Sequence, residues 1–274
     1  MTGPRKLRFK FPRILALLAV FCLGSASLAQ AQDLDLAAGE EAKARGNLIG
    51  LGIGYAPDYE GSEDYEPVPL VRAVYVMRNG MSLSFLGSTL RFNLVPDSPW
   101  NAGLIARYRP ERNDVDNDKV DRMKKVDAAF ELGGFAAYRM DQWTFSLALL
   151  GDVADAHDGY LLEFSTGYKY PLSADSHMTW FLSASFADED YMNTYFGVNS
   201  SDAARSGLSR YKADSGIKDV GLGLLYETGL SRHWNLLAGF KYSRLLDEAA
   251  DSPLVDDEGS ENQLLVGAVI SYVF

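Results

Sequence analysis

The sequence predicts an all-β chain closed into a transmembrane antiparallel up-and-down β-barrel of about twelve strands. Three observations predict it. Apolar and polar residues alternate with period two through most of the chain after residue 46, which is the signature of strands that show different surroundings to their two faces. The connections alternate between short turns and longer loops, as they do in bacterial outer-membrane barrels. All four tryptophans fall on the apolar face just after a short turn, so they mark one membrane interface.

The 274 residues are 47% hydrophobic and 12% aromatic, with 25 Gly and one Cys. This composition excludes disordered, collagenous and disulfide-stapled chains. Lys and Arg total 26 against 37 Asp and Glu, a net charge of -11, which argues against nucleic acid as a partner. The balance is uneven along the chain. Arg5, Lys6, Arg8, Lys10 and Arg13 stand in the first thirteen residues without an acid, and the remainder carries 21 basic against 37 acidic residues, or -16.

Behind this basic start come an apolar run from Ile14 to Gly24 and a small-residue stretch from Ser25 to Ala31, where Ala29 and Ala31 have A-x-A spacing. The pattern predicts a cleavable signal peptide over residues 1–31, cut before Gln32. A transmembrane anchor fits less well, because the run is short for a bilayer and ends in cleavable sequence. Cys22 lies inside the run after Phe21, where a lipoprotein signal needs a small residue. It leaves with the signal, so the remaining chain has neither a disulfide nor a thiolate ligand. Residues 32–46 read as a short periplasmic segment, with Glu40, Glu41, Lys43 and Arg45 among alanines, and residues 47–274 as the barrel.

After Gln32 the longest stretch without a charge is Asn262 to Phe274, thirteen residues, short of the ~20 a spanning helix needs. Strands fill the chain instead. The first sets Ile49, Leu51, Ile53 and Tyr55 against Gly50, Gly52 and Gly54. Less regular segments follow at 68–77, 81–86 and 88–95, and then Trp100, Ala102, Leu104, Ala106 and Tyr108 face away from Asn101, Gly103, Arg107 and Arg109. Residues 126–138 precede a strand carrying Trp143, Phe145, Leu147 and Leu149 and another with Tyr160, Leu162, Phe164, Thr166 and Tyr168. Trp180 to Phe186, Val220 to Tyr226, Trp234 to Tyr242 and Val266 to Phe274 complete the set.

The short connections are Arg78 to Gly80, Pro96 to Pro99, Arg139 to Gln142, Tyr170 to His177 and Gly229 to His233. The longer ones are 56–66, 110–125, 154–159, 187–217 and 245–261, and the link at Gly87 and Ser88 is the exception. An even strand count returns the carboxyl end to the periplasmic side. Trp100, Trp143, Trp180 and Trp234 form one belt on the turn side, and Tyr55, Tyr108, Tyr160 and Tyr242 form a second on the loop side. Outer-membrane lipid and lipopolysaccharide are the expected surroundings of this face. The final Ile270-Ser271-Tyr272-Val273-Phe274 has the alternating, Phe-terminated form that the outer-membrane assembly machinery reads.

The opposite face places Arg72, Arg91, Arg107, Lys169 and Lys241 beside Asp127, Glu131, Glu163, Asp219 and Glu227. A selective pore shows a one-sided ring of charge, whereas balanced signs favour cross-barrel ion pairs that fill the lumen. The expectation is a largely closed barrel or a narrow channel.

The loops hold most of the acid: Asp58, Glu60, Glu63, Asp64 and Glu66 in the first, and Asp247, Glu248, Asp251, Asp256, Asp257, Glu258 and Glu261 in the last. They read as a solvated, repulsive surface in preference to divalent-cation sites. Asp114, Asp116 and Asp118 have the opening spacing of a calcium loop, but Lys119 replaces its turn glycine and Lys125 its bidentate acid. No metal or cofactor site is assigned. His177 and His233 lie in short turns, which leaves His157, flanked by Asp152, Asp155 and Asp158, as the one candidate base. No serine partner is marked, so the histidine reads as a solvated loop residue and no catalytic residue is assigned. Loop 187–217, with Tyr191, Tyr195, Phe196 and Tyr211, is long enough to fold into the barrel mouth and reads as a plug before a ligand site.

The stretch from Gly52 to Ser62 (GIGYAPDYEGS) resembles the opening strand and loop of the MipA/OmpV family of outer-membrane proteins. So do Glu131 to Phe135 (ELGGF), Asp190 to Val198 (DYMNTYFGV), Gly216 to Gly221, Tyr242 to Leu246 and Asp251 to Val255, and the resemblance extends to Phe274. It implies an outer-membrane barrel, and it carries over no catalytic residue. One family member is known as a scaffold joining a murein lytic transglycosylase to a murein synthase, and others as adhesins. The resemblance thus implies a non-enzymatic envelope scaffold with those murein enzymes as partners. A narrow porin-like solute channel and a surface adhesin are the alternatives.

Overall fold

A computed structural model describes residues 46–96 and 98–274. The expected signal peptide over 1–31 lies outside them, as does all but Gly46 of the expected periplasmic segment. Twelve strands are described: β1 (Leu48–Pro57), β2 (Tyr65–Val76), β3 (Ser82–Leu86), β4 (Thr89–Asn93), β5 (Trp100–Arg109) and β6 (Ala129–Met140), then β7 (Trp143–Asp152), β8 (Tyr160–Pro171), β9 (Ser176–Ala187), β10 (Gly216–Gly229), β11 (Trp234–Leu245) and β12 (Asn262–Val273). Each pairs antiparallel with its neighbours in sequence, and β12 returns to β1 from Leu48↔Val273 to Tyr55↔Val266. Closure is what the bilayer demands, because an open edge would leave backbone N–H and C=O groups unpaired in hydrocarbon. The expected all-β barrel of twelve strands is the fold observed.

Period two decides which side chains meet lipid. On β1, Leu51 and Ile53 are each 63% exposed, whereas Leu48 is 2% exposed and faces inward with Gly50, Gly52 and Gly54. The exposed row continues round the barrel through Leu104, Leu132, Leu147, Leu162, Leu182 and Ile270. At the turn-side end Trp100 packs on Tyr138 at 4.8 Å between ring centroids, Trp143 on Tyr168 at 4.9 Å and Trp234 on Tyr272 at 5.3 Å. The tryptophans keep to one interface and Tyr55, Tyr108, Tyr160 and Tyr242 to the other as expected, but further tyrosines share the tryptophan side. Tyr55 and Tyr160 stand at the loop-side ends of their strands while Tyr138, Tyr168 and Tyr272 join the tryptophans. A phenol with an apolar ring and a polar tip suits either interface.

The hairpin β3–β4 is low. It pairs with β2 only over Arg72–Val76, so the loop-side half of β2 has no strand neighbour on that side. Pro67 and Pro69 lie in this half, and a proline presents no N–H that could recruit another strand. The segment expected as a strand from 126 begins instead at Ala129, and Val126 makes an isolated bridge to Arg112. Asp127, expected in the lumen, is therefore an exposed loop residue.

Apolar side chains fill the middle of the barrel. Val68, Leu70, Leu86, Phe181, Leu225, Leu237, Leu265 and Val269 form one cluster, and Ile105, Phe135, Ala148 and Leu150 form another. The fit is close at Gly223, where an added Cβ would stand 2.2 Å from Phe181 Cζ. We expect Gly223→Val to destabilise the barrel by about 1–3 kcal/mol through overpacking. Urea unfolding in lipid vesicles, followed by the heat-modifiable gel shift, checks this, and an unchanged midpoint contradicts it.

Candidate functional site

The lumen and its outer mouth are the features whose side chains are not accounted for by the lipid boundary. Toward the turn side, Arg72 of β2 donates from both terminal nitrogens to Glu227 of β10 at 3.3 Å and from Nη1 to Asn235 Oδ1 of β11 at 3.2 Å. His177 Nε2 lies 3.9 Å from the same carboxylate. Toward the loop side, Arg107 of β5 donates to Glu131 of β6 at 3.2 Å and to both oxygens of Glu163 of β8 at 2.9 and 2.7 Å. Arg109 Nε donates to Glu131 Oε1 at 2.9 Å. These charges are buried, and each carboxylate finds its cation across the barrel or on the next strand. The balanced lumen thus resolves into the expected cross-barrel ion pairs.

Two members were not legible from alternation. Lys218 and Asp219 both face inward because the pairing of β10 with β9 shifts between Ile217 and Asp219, a bulge that turns consecutive side chains to one face. Lys218 pairs with Asp219, which also accepts from Ser185 Oγ at 2.6 Å. Glu60 is the other. Its loop was expected to be solvated, yet Glu60 is drawn in to pair with Lys218 and Arg109 and accepts from Tyr191 Oη at 2.7 Å. Burial raises its carboxyl, but Lys218 and Arg109 outweigh that and hold it below the usual carboxylate range.

Tyr191 belongs to the cap. The β9–β10 loop carries α1 (Glu189–Phe196) and α2 (Ser200–Ser206), and short helices α3 (Asp118–Asp121), α4 (Asp247–Ala250) and α5 (Pro253–Asp256) come from the β5–β6 and β11–β12 loops. Asp188 and Asn199 begin α1 and α2 by accepting backbone N–H groups with their side chains. Together these loops bury Tyr191, Met192, Phe196, Leu254 and Val255 in one apolar cluster over the mouth. The loop expected as a plug is folded and packed over the mouth. Arg109 joins cap to lumen, with its guanidinium 5.1 Å from the Tyr191 ring and 5.3 Å from the Tyr195 ring. A cavity of about 30 Å³ lies beside Glu60, Arg109, Glu163, Lys218 and Asp219.

His157 corrects another expectation, since it is 3% exposed and not a solvated loop residue. Gly159 N–H donates to Nδ1 at 3.1 Å, and Nε2 lies 3.3 Å from Glu131. Both ring nitrogens are therefore engaged within the fold, and the ring packs edge-on against Tyr191 at 5.1 Å. Asp152, five residues earlier in the chain, accepts the backbone N–H groups of Ala156 and His157 and shapes the loop that inserts the ring. The signal available in sequence was Asp152 at the strand end before the loop, an acid placed to fold a turn.

The family model described as MltA-interacting protein MipA matches residues 49–274. YiaT of Escherichia coli O157:H7, named as an outer membrane protein, is 31% identical over 215 residues, which cover 76% of this chain and 84% of that one. The outer membrane protein OmpV of Vibrio cholerae is 29% identical over 165 residues, 58% of this chain and 61% of its own length. The MltA-interacting protein of Escherichia coli K12 is 25% identical over 231 residues, 82% of this chain and 89% of that one.

Removing one partner from the Arg72–Glu227 pair isolates a charge in the lumen, so we expect Arg72→Leu to cost about 3–5 kcal/mol. The double variant Arg72→Leu, Glu227→Leu is expected to recover most of that loss. Urea unfolding in vesicles measures both, and equal stability of wild type and Arg72→Leu contradicts the assignment.

Proposed function

Because the chain belongs to the MipA family of outer-membrane β-barrels, we propose that it is a non-conducting, non-enzymatic barrel that organises the cell envelope. The filled lumen carries this reading. Its charges are committed to one another and its mouth is capped, so its work falls to its two surfaces. His157 has no free ring nitrogen to act as a base, which supports a non-enzymatic role.

On the periplasmic side the strands are joined by short turns, a low rim that lets a soluble enzyme approach the membrane closely. The partners proposed there are a murein lytic transglycosylase and a murein synthase, by extension from the relative named for its interaction with MltA. The terminal strand, with Phe274 exposed at its end, is proposed as the element offered to the assembly machinery. A narrow solute channel is disfavoured by the same filled lumen. Recognition at the cell surface is a second reading, favoured by an outer cap that is folded and not a set of loose loops.

Affinity capture from crosslinked cells tests the scaffold. Recovery of the murein transglycosylase and synthase, absent from a control capture with an unrelated barrel of equal abundance, is the expected result. Their reproducible absence contradicts the scaffold role.

A further inference from the structure

The outer cap encloses a second space, larger than the cavity beside Glu60 and Lys218. A cleft of about 640 Å³ opens between the β5–β6 and β9–β10 loops, within the size range of small-molecule sites. None of its lining residues belongs to a strand, so the cleft stands beyond the part of the protein that lipid surrounds. In a chain with an acidic excess, this lining is basic. Arg112, Lys124, Lys125, Arg210 and Lys212 meet there against Asp127, Asp155 and Asp202. Asp202 is already engaged by Arg205 and by the Lys124 backbone N–H at 2.6 Å.

Arg112 distinguishes this cleft from a chance cluster of surface lysines. It is 7% exposed, and Nη1 donates to the Tyr195 carbonyl at 2.8 Å. Among the described residues no carboxylate lies within ion-pair distance of it, in contrast to Arg72, Arg107 and Arg109 below. Burial pulls its basicity below the ordinary arginine value, and the nearby Tyr59, Tyr195 and Asp202 do not restore it. A buried guanidinium without a counter-ion is costly to keep. A planar fork of donors suits the paired oxygens of a phosphate or carboxylate, and the desolvation already incurred strengthens the contact.

We propose that this cleft binds a soluble, sugar-sized oxyanion, a phosphate or carboxylate ester or acid, with Arg112 as the buried anchor and Lys124 and Arg210 as rim contacts. Asn193, Thr194 and Tyr211 line the same cleft and supply neutral hydrogen-bonding groups for hydroxyls.

Calorimetric titration of the full-length barrel in detergent tests this with inorganic phosphate, glucose 6-phosphate, glucuronate and glucose. Saturable binding is expected for the three anions, tightest for the two that carry a sugar ring, with none for glucose. Arg112→Gln is expected to weaken anion binding at least tenfold while the heat-modifiable gel shift stays as in wild type. If that variant fails to fold, the exposed pair Lys124→Gln, Arg210→Gln reports in its place, with an expected loss of severalfold. Absence of saturable anion binding by wild type, equal binding of glucose, or binding unchanged in the folded variants overturns the proposal. Displacement of the sugar phosphate by anionic lipid headgroups in nanodiscs overturns the assignment to a soluble ligand.

Discussion

The buried arginines of the lumen are the constraint on which the rest of this structure depends. A barrel wall can be built from alternation alone, but the space it encloses must be flooded, packed or neutralised. Here it is packed and neutralised. Arg107 and Arg109 share Glu131, Arg107 reaches Glu163, and Arg109 stacks under Tyr191 and Tyr195. Such pairs repay their desolvation only when geometry is fixed and the remaining donors are satisfied. The strands fix it from below and the cap from above.

The cap is consequently part of the lumen and not an ornament on it. Glu60 from the first loop, Tyr191 from α1 and His157 from the β7–β8 loop all converge on the Arg109–Glu131 pair. Each comes from a different connection, so ordering one loop lowers the entropic cost of ordering the next. The apolar cluster of Met192, Phe196, Leu254 and Val255 then holds the loops together where no strand can.

The wall was legible in the sequence because period two leaves a mark at every residue. Ile49 to Tyr55 and Trp234 to Tyr242 showed their lipid faces directly, and Arg72, Arg107, Glu131, Glu163 and Glu227 followed on the other face. What alternation could not reveal were departures from it and contacts between loops. The bulge that turns Lys218 inward breaks the period over a single residue. Glu60 and His157 sit in loops whose sequence is polar for folding reasons as much as for solvation, and their burial depends on partners distant in sequence, Lys218 and Tyr191 for Glu60 and Glu131 for His157. Tyr138, Tyr168 and Tyr272 join the tryptophan side because tyrosine's chemistry fits both interfaces. Arg112 had no sequence signal, since a missing counter-ion is a property of three-dimensional surroundings.

An ion-paired lumen, a cap bound into it and a rim of short turns support the proposed reading of a barrel that acts through its surfaces. The most direct test is the conductance of the purified full-length protein reconstituted in a planar lipid bilayer. The account predicts no stable open current, since ion pairs span the lumen and the cap packs over its mouth. A large, steady, open conductance from correctly folded protein would contradict it.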